Sequence, residues 1–414
     1  MMTIIVGAGL AGLTCAKVLA RAGRPFLLLE AARRPGGRVV SDHTPEGFVL
    51  DRGFQVLLDS YPAARRHLDI RALGGGRFRA GAMFVGRGKV RTLENPLRCP
   101  AAAFGALRGD VLPLSDQLRL LRLVVMAMAG GRGDQLSTEQ LLRRGGFGEE
   151  FFSRFARPFF GGVLLDPDLQ TSAGLFLEYL RRFVTGRALL PARGMGGIAE
   201  QLVAGLPRGS VRYDAQVAGL EFSEGRACGV RLEDGSIITG REMVLAVEEP
   251  AACRLLGAGQ PRPARGTAVH YFAADRAAYR GAWLCLPPRR NESPILHAAL
   301  VSNATSELAP AGSHLWSVTV LPGHPKADDA EAVAAEVGSW FEDGCGKLRP
   351  LAFVPVPYAV PEQLPGFENR PAPWGALPPG VFVTGDAACG ASIDAVMASG
   401  EATAKKVISS GTLN

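Results

Sequence analysis

Lysine is scarce in this 414-residue chain: of 46 basic residues only Lys17, Lys89, Lys326, Lys347, Lys405 and Lys406 are lysines, and they form no basic run interleaved with aromatics. A nucleic-acid-binding surface is therefore not expected, although a net charge of +7 suits a pyrophosphate or an anionic lipid headgroup. Cysteine is equally sparse, seven in all, odd in number and without a C-x-x-C pair. That spacing argues against a disulfide framework and fits reduced thiols in a cytosolic compartment. The six histidines are dispersed too, so no metal site is expected. No uninterrupted apolar run reaches the roughly 18 residues of a membrane-spanning helix. The apolar N-terminus also lacks the basic leader of a signal peptide. A cytoplasmic protein with possible membrane contact at its surface is the expectation, and internal repeats and low-complexity segments are absent.

What is present is the composition of a folded protein, 47% hydrophobic and 21% charged, with a mean hydropathy of +0.12 that is slightly high for a freely soluble enzyme. The length suits two folding units. Periodicity predicts a strand over 3–6, a helix over 10–22 closed by Gly23, and a second strand over 25–30. Helices are expected over 115–129, 138–144, 149–155 and 172–184, with Ser115 and Ser137 or Thr138 as N-caps. Alternating strands are expected over 267–272 and 314–320, with a helix over 327–341 between later segments. The proline-rich stretch 355–379 reads as a surface excursion. The predicted fold is α/β. A Rossmann-like dinucleotide domain of residues 1–76, 191–263 and 357–414 is interwoven with an α+β substrate domain of 77–190 and 264–356, a helical insertion plus a mixed sheet.

Gly7-Ala8-Gly9-Leu10-Ala11-Gly12 directly follows the first strand and opens the helix. Gly7 permits the turn, Gly9 lets the backbone approach a pyrophosphate, and Gly12 lets helix and strand pack closely. The N–H groups of the helix N-terminus face the phosphates. Glu30, at the end of the second strand, is placed to accept ribose hydroxyls and disfavours a 2′-phosphate. These features identify a dinucleotide without choosing between NAD and FAD.

The next residues, Glu30-Ala31 followed by Gly36-Gly37-Arg38, resemble the acid plus G-G-R signature of the glutathione-reductase-like FAD fold. The branch is the one holding flavin amine oxidases, protoporphyrinogen oxidase and carotenoid desaturases. The resemblance implies FAD, with Arg38 meeting its phosphates as a charge-assisted donor. Gly385-Asp386 after a strand, then Ser392, Ile393 and Val396 opening a helix, resemble that branch's C-terminal flavin segment. Pro191-Ala192-Arg193-Gly194-Met195 is similar to its P-x-x-G-M motif. Val217 matches the position whose backbone meets adenine, and Asp51-Arg52-Gly53-Phe54-Gln55 resembles the segment passing the isoalloxazine.

Two devices of flavin amine oxidases are missing: the strand expected to carry a lysine reads Gly266-Thr267-Ala268-Val269-His270-Tyr271-Phe272, and the aromatic cage position falls on Ser392. The resemblance then implies a desaturase- or dehydrogenase-like enzyme that moves hydride from a hydrophobic, isoprenoid- or tetrapyrrole-like substrate to flavin N5, with oxygen or a quinone as acceptor. An amine or amino-acid oxidase, and a non-oxidative flavoprotein such as an isomerase, stay open. His270, Tyr271 and Gln55 are the side-chain candidates for catalysis. The apolar helix with Arg119 and Arg122 could lie in a membrane interface or be buried core. Phe151, Phe152, Phe155, Phe159 and Phe160 could line a hydrophobic tunnel or pack a core.

Overall fold

An unbroken apolar run makes β1 (Thr3–Val6) buried at every position, the mark of a strand covered on both faces. Gly7 turns the chain into α1 (Leu10–Arg21), and β2 (Phe26–Leu29) returns parallel to β1 with Leu28 beside Ile5. The computed structural model describes residues 2–86, 89–95, 112–131, 133, 135–287, 293–341, 344–367 and 372–410.

β4 (Glu242–Leu245) and β9 (Val381–Val383) arrive from far along the chain to complete a parallel sheet. Its order is Val211–Arg212, β2, β1, β4, β9. α5 (Ile393–Ser410) covers one face beside α1. The two helices meet where Gly400 has no side chain, since a Cβ there would lie 2.2 Å from the Ala11 carbonyl oxygen. On the other face β3 (Val217–Ser223) starts an antiparallel three-stranded meander with Arg226–Leu232 and Ile237–Thr239.

The second large sheet has seven strands, in the order β8 (Arg349–Pro361), β5 (Ala264–Ala274), β7 (His314–Val320), β6 (Ile295–Leu300), Leu284–Leu286, Gly81–Gly86 and Lys89–Glu94. It is mixed, because Gly81–Gly86 runs parallel to Leu284–Leu286 while its other pairings are antiparallel. One face, with Val269, Tyr271, Ala299 and Leu315, shares a core with Ile5, Leu13 and Leu28. The opposite face, with Phe272, Trp316 and Val318, packs on Val333, Val337 and Trp340. Val333 and Val337 belong to α4 (Ala330–Gly338), capped by Asp329. The expected α/β architecture, a Rossmann-like sheet interwoven with a mixed sheet and helices, is the one adopted.

The expected helical insertion of 77–190 is helical only in part, since Gly81–Gly86 and Lys89–Glu94 pair as an antiparallel hairpin at the edge of the mixed sheet, and three further local expectations need correction. The proline-rich surface excursion begins later than expected, because residues through Pro361 belong to β8, an edge strand where prolines without N–H groups cost no ladder hydrogen bond on the open side. Ser115 does not cap its helix: α2 (Leu114–Met128) starts one residue earlier, behind Pro113. Ser137 does cap, through a capping box with Gln140. The expected helix over 149–155 is α-helical only at Glu149–Phe151 and continues as a π-helix, Phe152–Gly161. Pro158 lies inside it, removing an N–H and crowding the preceding turn, which the wider helix accommodates.

Candidate functional site

The glycine motif does what its spacing requires. Gly7 has φ +104°, and a Cβ there would lie 2.6 Å from the Ala246 carbonyl oxygen just past β4. A Cβ on Gly12 would fall 2.0 Å from the Gly7 oxygen, so only glycine lets α1 sit this close to the strand. Gly9 is different, with no atom within 4 Å of its would-be Cβ and no side-chain cap at the helix start. The first-turn backbone of Leu10 and Ala11 thus faces an open space at a positive dipole end. Gly36 donates its N–H to the Ala8 oxygen at 2.9 Å, which brings Gly37 against Gly9 and closes one side of that space.

Glu30 is held at the sheet edge of the same opening. Its carboxylate accepts the Ala8 N–H at 2.7 Å and the Ala32 N–H at 2.9 Å, leaving further lone pairs for ribose hydroxyls. Ala31 is exposed beside it. The Ala215 N–H donates to the Glu30 carbonyl at 2.9 Å, so the chain leading into Val217 runs along the acidic end of the opening.

Residues from the two ends of the chain meet on the other side. Arg38 pairs with Asp386 at 2.6 Å and with Glu248 at 3.6 Å, and donates to the Ala359 oxygen at 2.9 Å. Burial raises the Glu248 carboxyl and Arg38 opposes the rise. Tyr358 lies under the Arg38 guanidinium, 5.5 Å from it, and its buried hydroxyl oxygen has no partner. Gly385 turns β9 toward α1, with its N–H on Ser399 Oγ at 3.2 Å. Ser392 caps α5 by accepting the Ala395 N–H at 3.0 Å, so this serine closes a helix end and offers no aromatic face. Ile393 and Val396 pack against the shared core behind it.

Gly53, Phe54 and Gln55 bridge this cradle to the seven-stranded sheet. Gln55 Nε2 donates to the carbonyl oxygens of Arg38 and Arg52, each at 3.1 Å. Phe54 stands edge-on to Phe78 and His297. Tyr271 faces this side of the sheet and donates to the Asp51 carbonyl at 2.8 Å. A cavity of about 10 Å³, room for one water, lies among Asp51, Phe54, Gln55 and Tyr271. Of the two neighbouring candidates on β5, Tyr271 is therefore near the cradle and His270 is not. His270 points to the opposite face, where its Nε2–H donates to the Ala327 oxygen at 2.7 Å.

Asp51, which opens the segment Asp51–Gln55, has a structural role that its sequence pattern does not show. Its buried carboxylate accepts Ser41 Oγ at 2.5 Å and the Met195 N–H at 2.9 Å, while Ser41 Oγ accepts the Gly196 N–H at 2.8 Å. It bolts the P-x-x-G-M turn and the start of α3 (Gly196–Ala204) to β-strand Val49–Asp51. Burial pushes its carboxyl up to about 6, opposed by those two hydrogen bonds.

Residues 10–408 match the family described as flavin containing amine oxidoreductase. The chain belongs to that family. Among curated relatives of this flavin-containing family, 15-cis-phytoene desaturase of an Oncidium hybrid cultivar is 26% identical over 269 residues, 59% of this chain and 46% of the relative. L-amino-acid oxidase of Naja atra is 42% identical over 66 residues, 16% of this chain and 13% of the relative. The chain thus spans less than half the length of these curated relatives. An oxidoreductase from Methanosarcina mazei superposes with a TM-score of 0.73 at 19% identity, covering 99% of this chain and 100% of the other. A wild-type putrescine oxidase bound to putrescine does so with a TM-score of 0.70 at 16% identity, covering 99% of each. An Exiguobacterium sp. 255-15 protein assigned as a protoporphyrinogen oxidase gives 0.70 at 19% identity, covering 98% of each. These structural likenesses speak to the fold.

FAD is the cofactor of the family, and this chain suits it: an open space at Gly9, a placed carboxylate at Glu30 and a partnerless buried hydroxyl at Tyr358 are what a dinucleotide would fill.

Proposed function

We propose that the chain is an FAD-dependent oxidoreductase that removes hydride from a hydrophobic, isoprenoid- or tetrapyrrole-like substrate, with oxygen or a quinone as the final acceptor. Bound flavin supplies the hydride-accepting N5. Gly7, Gly9, Gly12, Glu30, Gly37, Arg38, Val217 and Asp386 hold the dinucleotide, and Gly53 to Gln55 lie along the ring.

The observation that carries this reading is the apolar continuity of the helical region. Leu123 and Ala127 on the inner side of α2 join a core built from Phe147, Phe151, Phe152, Phe155, Phe160 and Phe176. On the outer side, Leu114, Leu118, Leu121 and Val125 are each more than half exposed, with Met128 and Arg122 beside them. The 4-3-4 spacing makes one stripe of a helix that has no covering partner among the described residues. A lipid surface is the occupant that suits it: apolar side chains enter the acyl boundary while Arg122 reaches anionic headgroups, in keeping with the net charge of +7. Among the described residues no helix is long and apolar enough to cross a membrane. The similarity to phytoene desaturases supports the same substrate class.

Anaerobic mixing of the flavin-loaded protein with 15-cis-phytoene, protoporphyrinogen, benzylamine and L-phenylalanine tests the proposal. Bleaching of the flavin band by a terpenoid or tetrapyrrole supports it. Bleaching by an amine alone, with peroxide released in air, replaces it with an amine oxidase.

A further inference from the structure

Thr267 Oγ1 on β5, Thr319 Oγ1 on β7 and both ring nitrogens of His297 on β6 are among the buried polar groups without hydrogen-bond partners on the cradle-facing side of the seven-stranded sheet. Strand register sets them together. His297 lies directly opposite Thr319, Thr319 lies opposite Val269, and Thr267 is two residues before Val269 on the same face. Cross-strand neighbours of this kind bring their Cβ atoms to about 5 Å. Positions that needed only apolar volume would take leucine or valine, because an unpaired buried polar group is costly.

The group sits beside the segment assigned to the flavin ring. Phe54 meets the His297 ring edge-on, with centroids 4.9 Å apart. Gly53 faces Val356, the cross-strand partner of Thr267. Gln55, next in the chain, is tied to Arg38. From the other side comes Gly162, just beyond the π-helix, where a Cβ would lie 2.8 Å from His297 Nδ1. His297 therefore lies between Gly162, which follows the phenylalanine core of Phe155 and Phe160, and Phe54 of the flavin segment.

We propose that His297 and Thr319, with Thr267 beside them, form a subsite that hydrogen-bonds an uncharged oxygen function, a hydroxyl or carbonyl, on the hydrophobic substrate. The inference rests on the hydrophobic-substrate reading and adds to it a polar end oriented toward the flavin. Burial holds His297 down to about 4, so near neutral pH its ring offers one donor and one acceptor. The threonine hydroxyls do the same, a set that matches an uncharged oxygen and does not compensate an ammonium ion. The apolar body of the ligand would lie toward Phe155 and Phe160.

The test titrates flavin-loaded wild type, His297→Phe and Thr319→Val with farnesol, its saturated hydrocarbon farnesane, and benzylamine, following perturbation of the flavin absorbance. Wild type is expected to bind farnesol over farnesane by roughly tenfold to a hundredfold, the size of a buried hydrogen bond left unmade. Both variants, of which Thr319→Val keeps side-chain volume and His297→Phe keeps a planar ring, are expected to collapse that ratio toward one. Their flavin content should match wild type, which separates loss of recognition from loss of fold. Equal binding of farnesol and farnesane by wild type, or an unchanged ratio in both variants, overturns the subsite while leaving a hydrophobic substrate in place. Perturbation by benzylamine alone overturns the substrate reading and the subsite with it.

Discussion

Arg38 and Asp386 lie 348 positions apart in the chain and form an ion pair at 2.6 Å, joining the N-terminal and C-terminal flavin signatures into one cradle. Asp386 is nearly buried, whereas Arg38 keeps about a quarter of its side chain in water. Arg38→Ala leaves Asp386 without this partner in a low-dielectric site. The expected loss is about 2–3 kcal/mol, below that of a fully buried pair because Arg38 is partly solvated. FAD rebinding, followed by flavin fluorescence, should weaken as well, by roughly tenfold or more, because a cation that faces the dinucleotide is lost. Unchanged affinity would remove Arg38 from the cradle.

Gly9 and Gly12 should fail in opposite ways when changed to alanine. Gly12→Ala drives a methyl into the Gly7 carbonyl, so the protein itself should lose stability by about 1–3 kcal/mol. Gly9→Ala meets nothing in the protein and has an ordinary φ of −71°, so thermal unfolding of the flavin-free protein should be unchanged. Its methyl occupies the opening instead, and FAD affinity should fall by tenfold or more. Thermal melts with and without FAD separate the two.

The glycine motif was legible because its geometry is local: a strand, a turn and a helix start within twelve residues. The pairing of Arg38 with Asp386 was not, since no spacing in the sequence encodes a contact between chain ends. β8 was partly hidden by its prolines, which oppose a central strand but not an edge. The π-helix was hidden because the Phe151–Phe155 pattern looks α-helical until Pro158 forces the ladder open. His297 carries no sequence pattern, and the pattern that includes Asp51, the segment Asp51–Gln55, says nothing of its buried hydrogen bonds. Only the register of β6 against β7, and the convergence of Ser41, Asp51 and Met195, bring them to notice.

Asp51 should make stability depend on pH. Its carboxyl titrates near 3.8 when free and about 6 when buried, so the folded state holds a proton between those values that the unfolded chain has released. Its contribution favours the fold below about 3.8 and is lost as pH rises to about 6, by roughly 3 kcal/mol in all. Asn in its place keeps an oxygen for Ser41 and Met195 and has no charge to bury. Asp51→Asn should therefore melt above wild type at pH 7, with the difference shrinking toward pH 4. Calorimetry that finds a constant difference would contradict this.

The stripe on α2 should govern lipid binding alone. Leu118→Glu with Leu121→Glu changes exposed positions, so the melting temperature should barely move. Cosedimentation with phosphatidylserine-containing vesicles should drop about tenfold, as two apolar contacts are lost and anionic charge is added. Vesicle binding that is absent in wild type, or untouched by the pair of substitutions, would take the lipid surface away from α2.

The most direct measurement is the absorbance spectrum of the purified protein, followed by FAD released per chain on denaturation. Bands near ~370 and ~450 nm, with about one FAD per chain, are the predicted result. A colourless protein that takes up no FAD when it is supplied would contradict the cradle formed by Gly9, Glu30, Arg38 and Asp386.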